Sequence, residues 1–207
     1  MTPDDFAAFS TGNPCNADPR VRAIAPAIKP LIPGKRIAGR ACSARITPGQ
    51  NGAIHRAVHH ATAGDILVVD GGGSERFGPF GDLLADGCIA VGMVGAVFDC
   101  PIRDSTDIAA LGFQVFCRGF HPEATAKSDR GDTDVPVVLG GVTVHPGDIV
   151  VGDDDGVVVV PGDRPCSLKD KSGLEGSRRT SGAGLACDTP GGEGCGFVAR
   201  SGHCFFG

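Results

Sequence analysis

At 207 residues, 41% of them hydrophobic, the chain can bury the core of one compact domain. Its net charge of −5, with lysines and arginines scattered rather than striped, gives no electrostatic footprint for nucleic acid. The longest uncharged apolar stretch, Gly87 to Phe98, is well short of the roughly 20 residues that span a bilayer, so no membrane partner is expected. The acidic start, Met1-Thr2-Pro3-Asp4-Asp5, shows no secretory signal. The nine cysteines are odd in number and contain no Cys-x-x-Cys, which predicts reduced thiols and a cytoplasmic location. Cys88, Cys100 and Cys117 lie in apolar surroundings and should behave as small hydrophobes.

Along the chain, Arg20 to Ile32 has helix-like spacing at Val21, Ile24 and Ile28, interrupted by Pro26 and Pro30. Gly39 to Ile46 reads as a strand closed by Thr47-Pro48-Gly49. Asn51 to Ala61 carries Ile54, Ala57, Val58 and Ala61 on one helix face. Asp65 to Asp70 is a buried strand by composition. Asp82 to Ala90 reads as a helix with Leu83, Leu84 and Cys88 turned inward, and Gly95 to Asp99 as another strand. Asp104 or Ser105 can cap a helix over Thr106 to Leu111. Beyond it, Val115–Cys117, Val135–Leu139, Val142–Val144, Asp148–Val151 and Val157–Val160 are short and largely β-branched. His145-Pro146-Gly147-Asp148 has Pro and Gly in the order of a type II turn, and Gly152 to Gly156 is a second turn. Strand–helix alternation followed by a meander predicts a mixed α/β domain.

Several local patterns carry little chemistry. Gly71-Gly72-Gly73 follows a strand but lacks the third glycine of a dinucleotide fingerprint and the Gly-Lys-Ser/Thr of a triphosphate loop, and reads as a tight loop. Asp153-Asp154-Asp155 has no closing Glu for a calcium loop and reads as a solvated turn. His55 and His59 stand four apart on a helix, but position 56 is Arg where a zinc-protease helix needs Glu, so these histidines are expected to face solvent. Neither Ser10-Thr11-Gly12 nor Ser201-Gly202-His203 supplies a nucleophile–base pair.

The informative constellation is Asp82, twenty intervening residues, then Arg103-Asp104. Asp82 sits in Gly81-Asp82-Leu83-Leu84-Ala85 and the pair follows the apolar run Val94 to Asp99. Two carboxylates and a guanidinium at the ends of neighbouring elements suit an oxygen-binding divalent metal with an oxyanion stabiliser. The plainer reading is a helix cap for each aspartate and a surface ion pair for the arginine.

These segments, with Asp65 to Gly73, Leu111 to Gly119, Gly140 to Asp148 and Gly152 to Pro161, resemble the family of the regulator of ribonuclease activity A. That family includes the class II 4-hydroxy-4-methyl-2-oxoglutarate/4-carboxy-4-hydroxy-2-oxoadipate aldolases, whose Asp-x20-Arg-Asp this chain keeps. The resemblance implies a swivelling β/β/α-type mixed-sheet fold over residues 1–161, assembled as a homotrimer or dimer of trimers. It implies a small 2-oxo acid substrate cleaved to pyruvate, with oxaloacetate decarboxylation as a side activity and Mg or Mn as cofactor. Asp104 would be the metal ligand. Arg103 would carry the developing enolate charge and Asp82 would hold metal-bound water as the base. Backbone amides over Gly81, Asp82, Leu83 and Leu84 would receive the substrate carboxylate. The alternative within the same family is a non-catalytic regulator that binds and inhibits a ribonuclease.

The stretch from Gly162 to Gly207 departs from that pattern. It is rich in Gly and Ser, holds Cys166, Cys187, Cys195 and Cys204, and lacks the periodicity of the long charged helix the family carries there. By composition it reads as loop or disorder.

Overall fold

Three strand–helix units in a row build the centre of the molecule. In a computed structural model that describes residues 2–128 and 131–162, strand β3 (Ile37–Ile46) leads into α3 (Gly52–His60). Strand β4 (Asp65–Asp70) leads into α4 (Asp82–Val91), and β5 (Gly95–Phe98) into α5 (Ser105–Ala110) and then β6 (Val115–Cys117). Strands β3, β4, β5 and β6 lie side by side and parallel, because each intervening helix provides the crossover that parallel neighbours need. Ahead of them come α1 (Pro3–Ala7), α2 (Gly12–Ala17), β1 (Arg22–Ala23) and β2 (Lys29–Pro30). Behind them come β7 (Gly131–Thr133), β8 (Val137–Leu139), β9 (Val142–Val144), β10 (Ile149–Asp153) and β11 (Gly156–Val160).

The sheet runs β1-β11-β10-β3-β4-β5-β6-β2, with β7 added to the end of β3 and a separate β8–β9 hairpin. Everything added outside the parallel centre is antiparallel. The result is a curled mixed sheet in an α/β fold, as expected. Buried residues of α3, α4 and α5, with Leu67, Val69, Phe98 and Val115, form one core on one face. Ile66, Val68, Val97 and Phe116 pack with the hairpin's Val137, Leu139 and Val144 in another. Alternation along β4 and β5 therefore feeds both cores, which is why these strands read as continuous apolar runs.

Phe6 of α1 seals a third cluster over β10 and β11. The Thr2 amide donates to Asp5 Oδ2 at 3.0 Å, a reciprocal start that, with Pro3 in the first turn, closes this short helix.

Four expectations are corrected. Arg20 to Ile32 is not helical: it holds only the two-residue strands β1 and β2, because Pro26 and Pro30 remove amide donors, although Val21, Ile24 and Ile28 are all buried. Leu83 does not turn inward. It is 76% exposed, and Ala85 joins Leu84 and Cys88 on the buried face. The strand expected from Val135 begins only at Val137, after Pro136. Asp153, expected in a solvated turn, is buried at the end of β10, where it accepts the Thr11 amide and hydroxyl, so β10 turns to β11 over Asp154 and Asp155 alone. The Pro-Gly turn stands where expected: Gly147 has φ +83° with the Asp148 amide on the His145 carbonyl at 3.1 Å. Cys88, Cys100 and Cys117 are buried free thiols. Burial pushes Cys88 up to about 12 and Cys117 to about 11. The Cys-rich segment of the tail lies outside the described residues.

Candidate functional site

Phe80 sets the geometry of the site. Its ring is fully buried, 4.8 Å from Phe98 and 6.3 Å from Phe113 by ring centroids, so the end of the loop after β4 is pinned into the core. Its carbonyl accepts the Arg103 amide at 2.9 Å. Two segments twenty residues apart are thereby fixed side by side, both beyond the carboxyl ends of adjacent parallel strands. Open α/β sheets place their ligand crevices there.

Gly81 follows, as the cap of α4. A Cβ added to it would lie 2.3 Å from Asp104 Oδ2 and 3.0 Å from Arg103 Nε. Only a residue without a side chain lets the backbone approach that carboxylate so closely. Asp104 itself takes the left-handed conformation (φ 54°, ψ 35°) before the first turn of α5. Asp tolerates this region better than most residues, yet it remains a local cost of the kind found at functional sites. Asp104 Oδ2 lies 3.3 Å from Arg103 Nε, with each side chain about one-third exposed (32% and 36%). Asp82 occupies the first position of α4, half-buried, and its Oδ1 accepts the Leu83 amide at 2.8 Å. The Leu84 amide is taken by the Gly81 carbonyl at 3.1 Å.

A cleft of about 100 Å³ opens beside these groups, lined by Gly81, Asp82, Leu83, Leu84 and Arg103. Residues not assigned to the site from sequence also line it, among them Asn51 and His55 at the start of α3, and Thr125 and Lys127. The Asn51 and Ala126 backbones are tied at 3.1 Å, which carries the 124–127 segment to the site. Asn51 is buried; its Nδ2 donates to the Pro79 carbonyl at 3.2 Å, while Oδ1 has no partner. His55 is exposed, as expected, and also lines the cleft. Partial burial, then the nearby Lys127 charge, lower its pKa, which favours a neutral imidazole. His59 and His60 are exposed, as expected. No local motif marks Asn51 or Lys127; only the pairing of distant loops brings them in.

The glycine loop is a turn and not a phosphate cradle. The Gly72 amide is spent on Asp70 Oδ1 and the Gly73 amide on the Asp99 carbonyl. Among the described residues no group of three His, Cys, Asp or Glu side chains could by itself hold a metal. A cation held by one carboxylate, with water and substrate completing its shell, is still compatible with Asp104, and Mg²⁺ is commonly bound in that way. Among the described residues no helix is long and apolar enough to cross a membrane.

Fold and cleft together define a mixed α/β protein with a polar crevice at its parallel strand ends. Residues 15–159 match the RraA-like model described as Aldolase/RraA, and the chain belongs to that family. It is 38% identical over 134 residues to a protein of Halalkalibacterium halodurans named, provisionally, 4-hydroxy-4-methyl-2-oxoglutarate aldolase; the match covers 65% of this chain and 64% of that relative's length. A protein of Aromatoleum aromaticum with the same provisional name is 35% identical over 73% of this chain and 95% of its own. Among solved structures, the RNA-processing inhibitor RraA from Thermus thermophilus superimposes with a TM-score of 0.70 at 28% identity, covering 76% of this chain and 95% of that one. A Geobacillus kaustophilus structure, described as an S-adenosylmethionine:2-dimethylmenaquinone methyltransferase, also gives 0.70, at 30% identity, covering 75% and 96%. One fold thus carries several assigned activities, and the site must choose among them.

Proposed function

We propose that this protein is a lyase that cleaves 4-hydroxy-4-methyl-2-oxoglutarate-type 2-oxo acids to pyruvate with a divalent cation, Mg or Mn, and that it decarboxylates oxaloacetate as a side reaction. The observation that carries the reading is the juxtaposition of Gly81, Arg103 and Asp104, with a Cβ-free backbone against the carboxylate. When bound, the cation would be held by Asp104 and would polarise the 2-oxo and carboxylate oxygens of the substrate.

The protein's own groups do the rest. Arg103 faces the 2-oxo oxygen and stabilises negative charge there, since its guanidinium stays protonated throughout. Asp82 holds the water that takes the proton of the substrate hydroxyl as the carbon–carbon bond breaks, and a proton returned from water converts the enolate to pyruvate. The start of α4 orients the substrate carboxylate, with the Leu83 amide becoming available as Asp82 turns from it. Lys127 adds a second cation suited to a dianionic substrate, and Asn51 Oδ1 offers an acceptor to the hydroxyl. A homotrimer or dimer of trimers in the cytoplasm belongs to the same reading.

The test is pyruvate release from 4-hydroxy-4-methyl-2-oxoglutarate with magnesium, with a chelator, and in Asp104→Ala. Release that needs both metal and Asp104 is expected. A well-folded protein that releases none with metal present removes the lyase reading for this substrate. The inhibitor-like reading, favoured by the similarity to the Thermus protein, would then be tested by ribonuclease inhibition.

A further inference from the structure

A cleft of about 670 Å³ shares no lining residue with the proposed active site. It lies at the opposite end of the sheet. Arg40, which lines it, pairs in register with Asp65, the first residue of β4, whereas the active-site loops leave the strands' far ends. Arg20, Arg22 and His145 line the same cleft.

The charge there is unusual for so acidic a chain. Arg20, Arg45, Arg76, Arg103 and Arg118 each sit in an ion pair with a carboxylate. Arg22 and Arg40 form none among the described residues. Arg22 donates to the Pro19 and Val21 carbonyls, and Arg40 to the Gly147 carbonyl at 3.2 Å. These backbone bonds hold each guanidinium in place without neutralising it. The carboxylate in the cleft, Asp148, is 8% exposed and committed to amides, that of His145 at 2.8 Å and that of Gly162 at 2.9 Å. Two guanidiniums positioned in one concavity, neither in an ion pair among the described residues, make it favourable for an anion. Their planar forks match phosphate or carboxylate oxygens. The volume suits a metabolite-sized ligand.

We propose that this cleft binds a small multivalent oxyanion through Arg22 and Arg40. The chemistry is shared by a diphosphate and a tricarboxylate, so titration calorimetry on the full chain in metal-free buffer uses pyrophosphate in one arm and citrate in the other. Saturable binding of at least one is expected, weakening with added salt. Arg22→Gln/Arg40→Gln should weaken it at least tenfold, and Arg103→Gln should leave it unchanged. If the double glutamine variant does not fold, by circular dichroism, Arg22→Lys/Arg40→Lys keeps the charge and loses the forks, and should weaken binding severalfold. Saturation with neither anion, equal binding by a folded double variant, or loss of binding in Arg103→Gln each overturns the proposal.

Discussion

Two arginine–aspartate pairs stand at the same end of the sheet and differ in what surrounds them. Arg118 and Asp99 form a close pair in which the Asp99 side chain is 8% exposed. Asp99 Oδ2 also accepts the Gly140 amide at 3.2 Å, and Asp70 beside it accepts that of Val138 at 3.1 Å, so the cluster fastens the β8–β9 hairpin to the strand ends. Arg103 and Asp104 are a looser pair, each about one-third exposed, with a left-handed backbone between loop and helix. The first pair has its oxygens occupied by the protein. The second stays partly open to solvent, with Arg103 lining a cleft. Sequence shows only the adjacent Arg103-Asp104; the fold brings Arg118 to Asp99, and burial separates that clamp from the more open pair.

That contrast can be broken most sharply at Arg103. On the proposed function, Arg103→Ala should lower turnover roughly 10²–10³-fold, as loss of one stabilising donor does. Its thermal stability should shift by no more than about 1 kcal/mol, the scale of an exposed pair. Steady-state kinetics and a melting curve on the same preparation check both halves. Asp99→Ala should behave in the opposite way, costing about 3 kcal/mol of stability by stranding a largely buried guanidinium and the Gly140 amide. Urea denaturation reads this, and a loss below 1 kcal/mol would mean that the clamp is not one. Gly81→Ala tests the close approach: its Cβ would collide with Asp104 Oδ2, so turnover should fall about tenfold or more by the logic of misplaced catalytic groups. Unchanged kinetics there would show that the Asp104 carboxylate is free to move.

The smallest effect is expected at Asp153, remote from both pairs. Burial raises its pKa, but bonds from the Thr11 amide (2.9 Å), the Thr11 hydroxyl (2.8 Å) and the Asp155 amide (3.1 Å) outweigh it, and the net shift is downward. A depressed carboxylate pKa means the folded state binds fewer protons than the unfolded. Its stabilisation is therefore present above the ordinary value of about 3.9 and is lost as pH falls through the folded value. Asp153→Asn should cost about 1 kcal/mol at neutral pH and flatten the acid limb of a melting-temperature profile.

The legibility of the chain follows the same division. β4, β5, α3 and α4 were readable because both faces of a parallel strand, or one face of a helix, must be apolar, and Ile66 to Val69 or Ile54, Ala57 and Val58 state that directly. The Arg20 to Ile32 segment misled because buried Val21, Ile24 and Ile28 keep a helical spacing by accident, while Pro26 and Pro30 hold the chain extended. The α1 signal, Thr2-Pro3-Asp4-Asp5, was present but is too short to carry weight until Phe6 finds its place under β10 and β11.

Sequence by itself determined the mixed α/β class and the residue types of the Asp82, Arg103 and Asp104 constellation, since periodicity and side-chain chemistry are local properties. It also determined the inert character of Cys88, Cys100 and Cys117. Only the tertiary structure decided that Gly81 touches Asp104, that Asn51, His55 and Lys127 join the cleft, and that Arg22 and Arg40 share another cleft without an ion pair among the described residues. These depend on which distant loops the core brings together, and on which charges packing leaves outside an ion pair. Neither is written in any one stretch of chain.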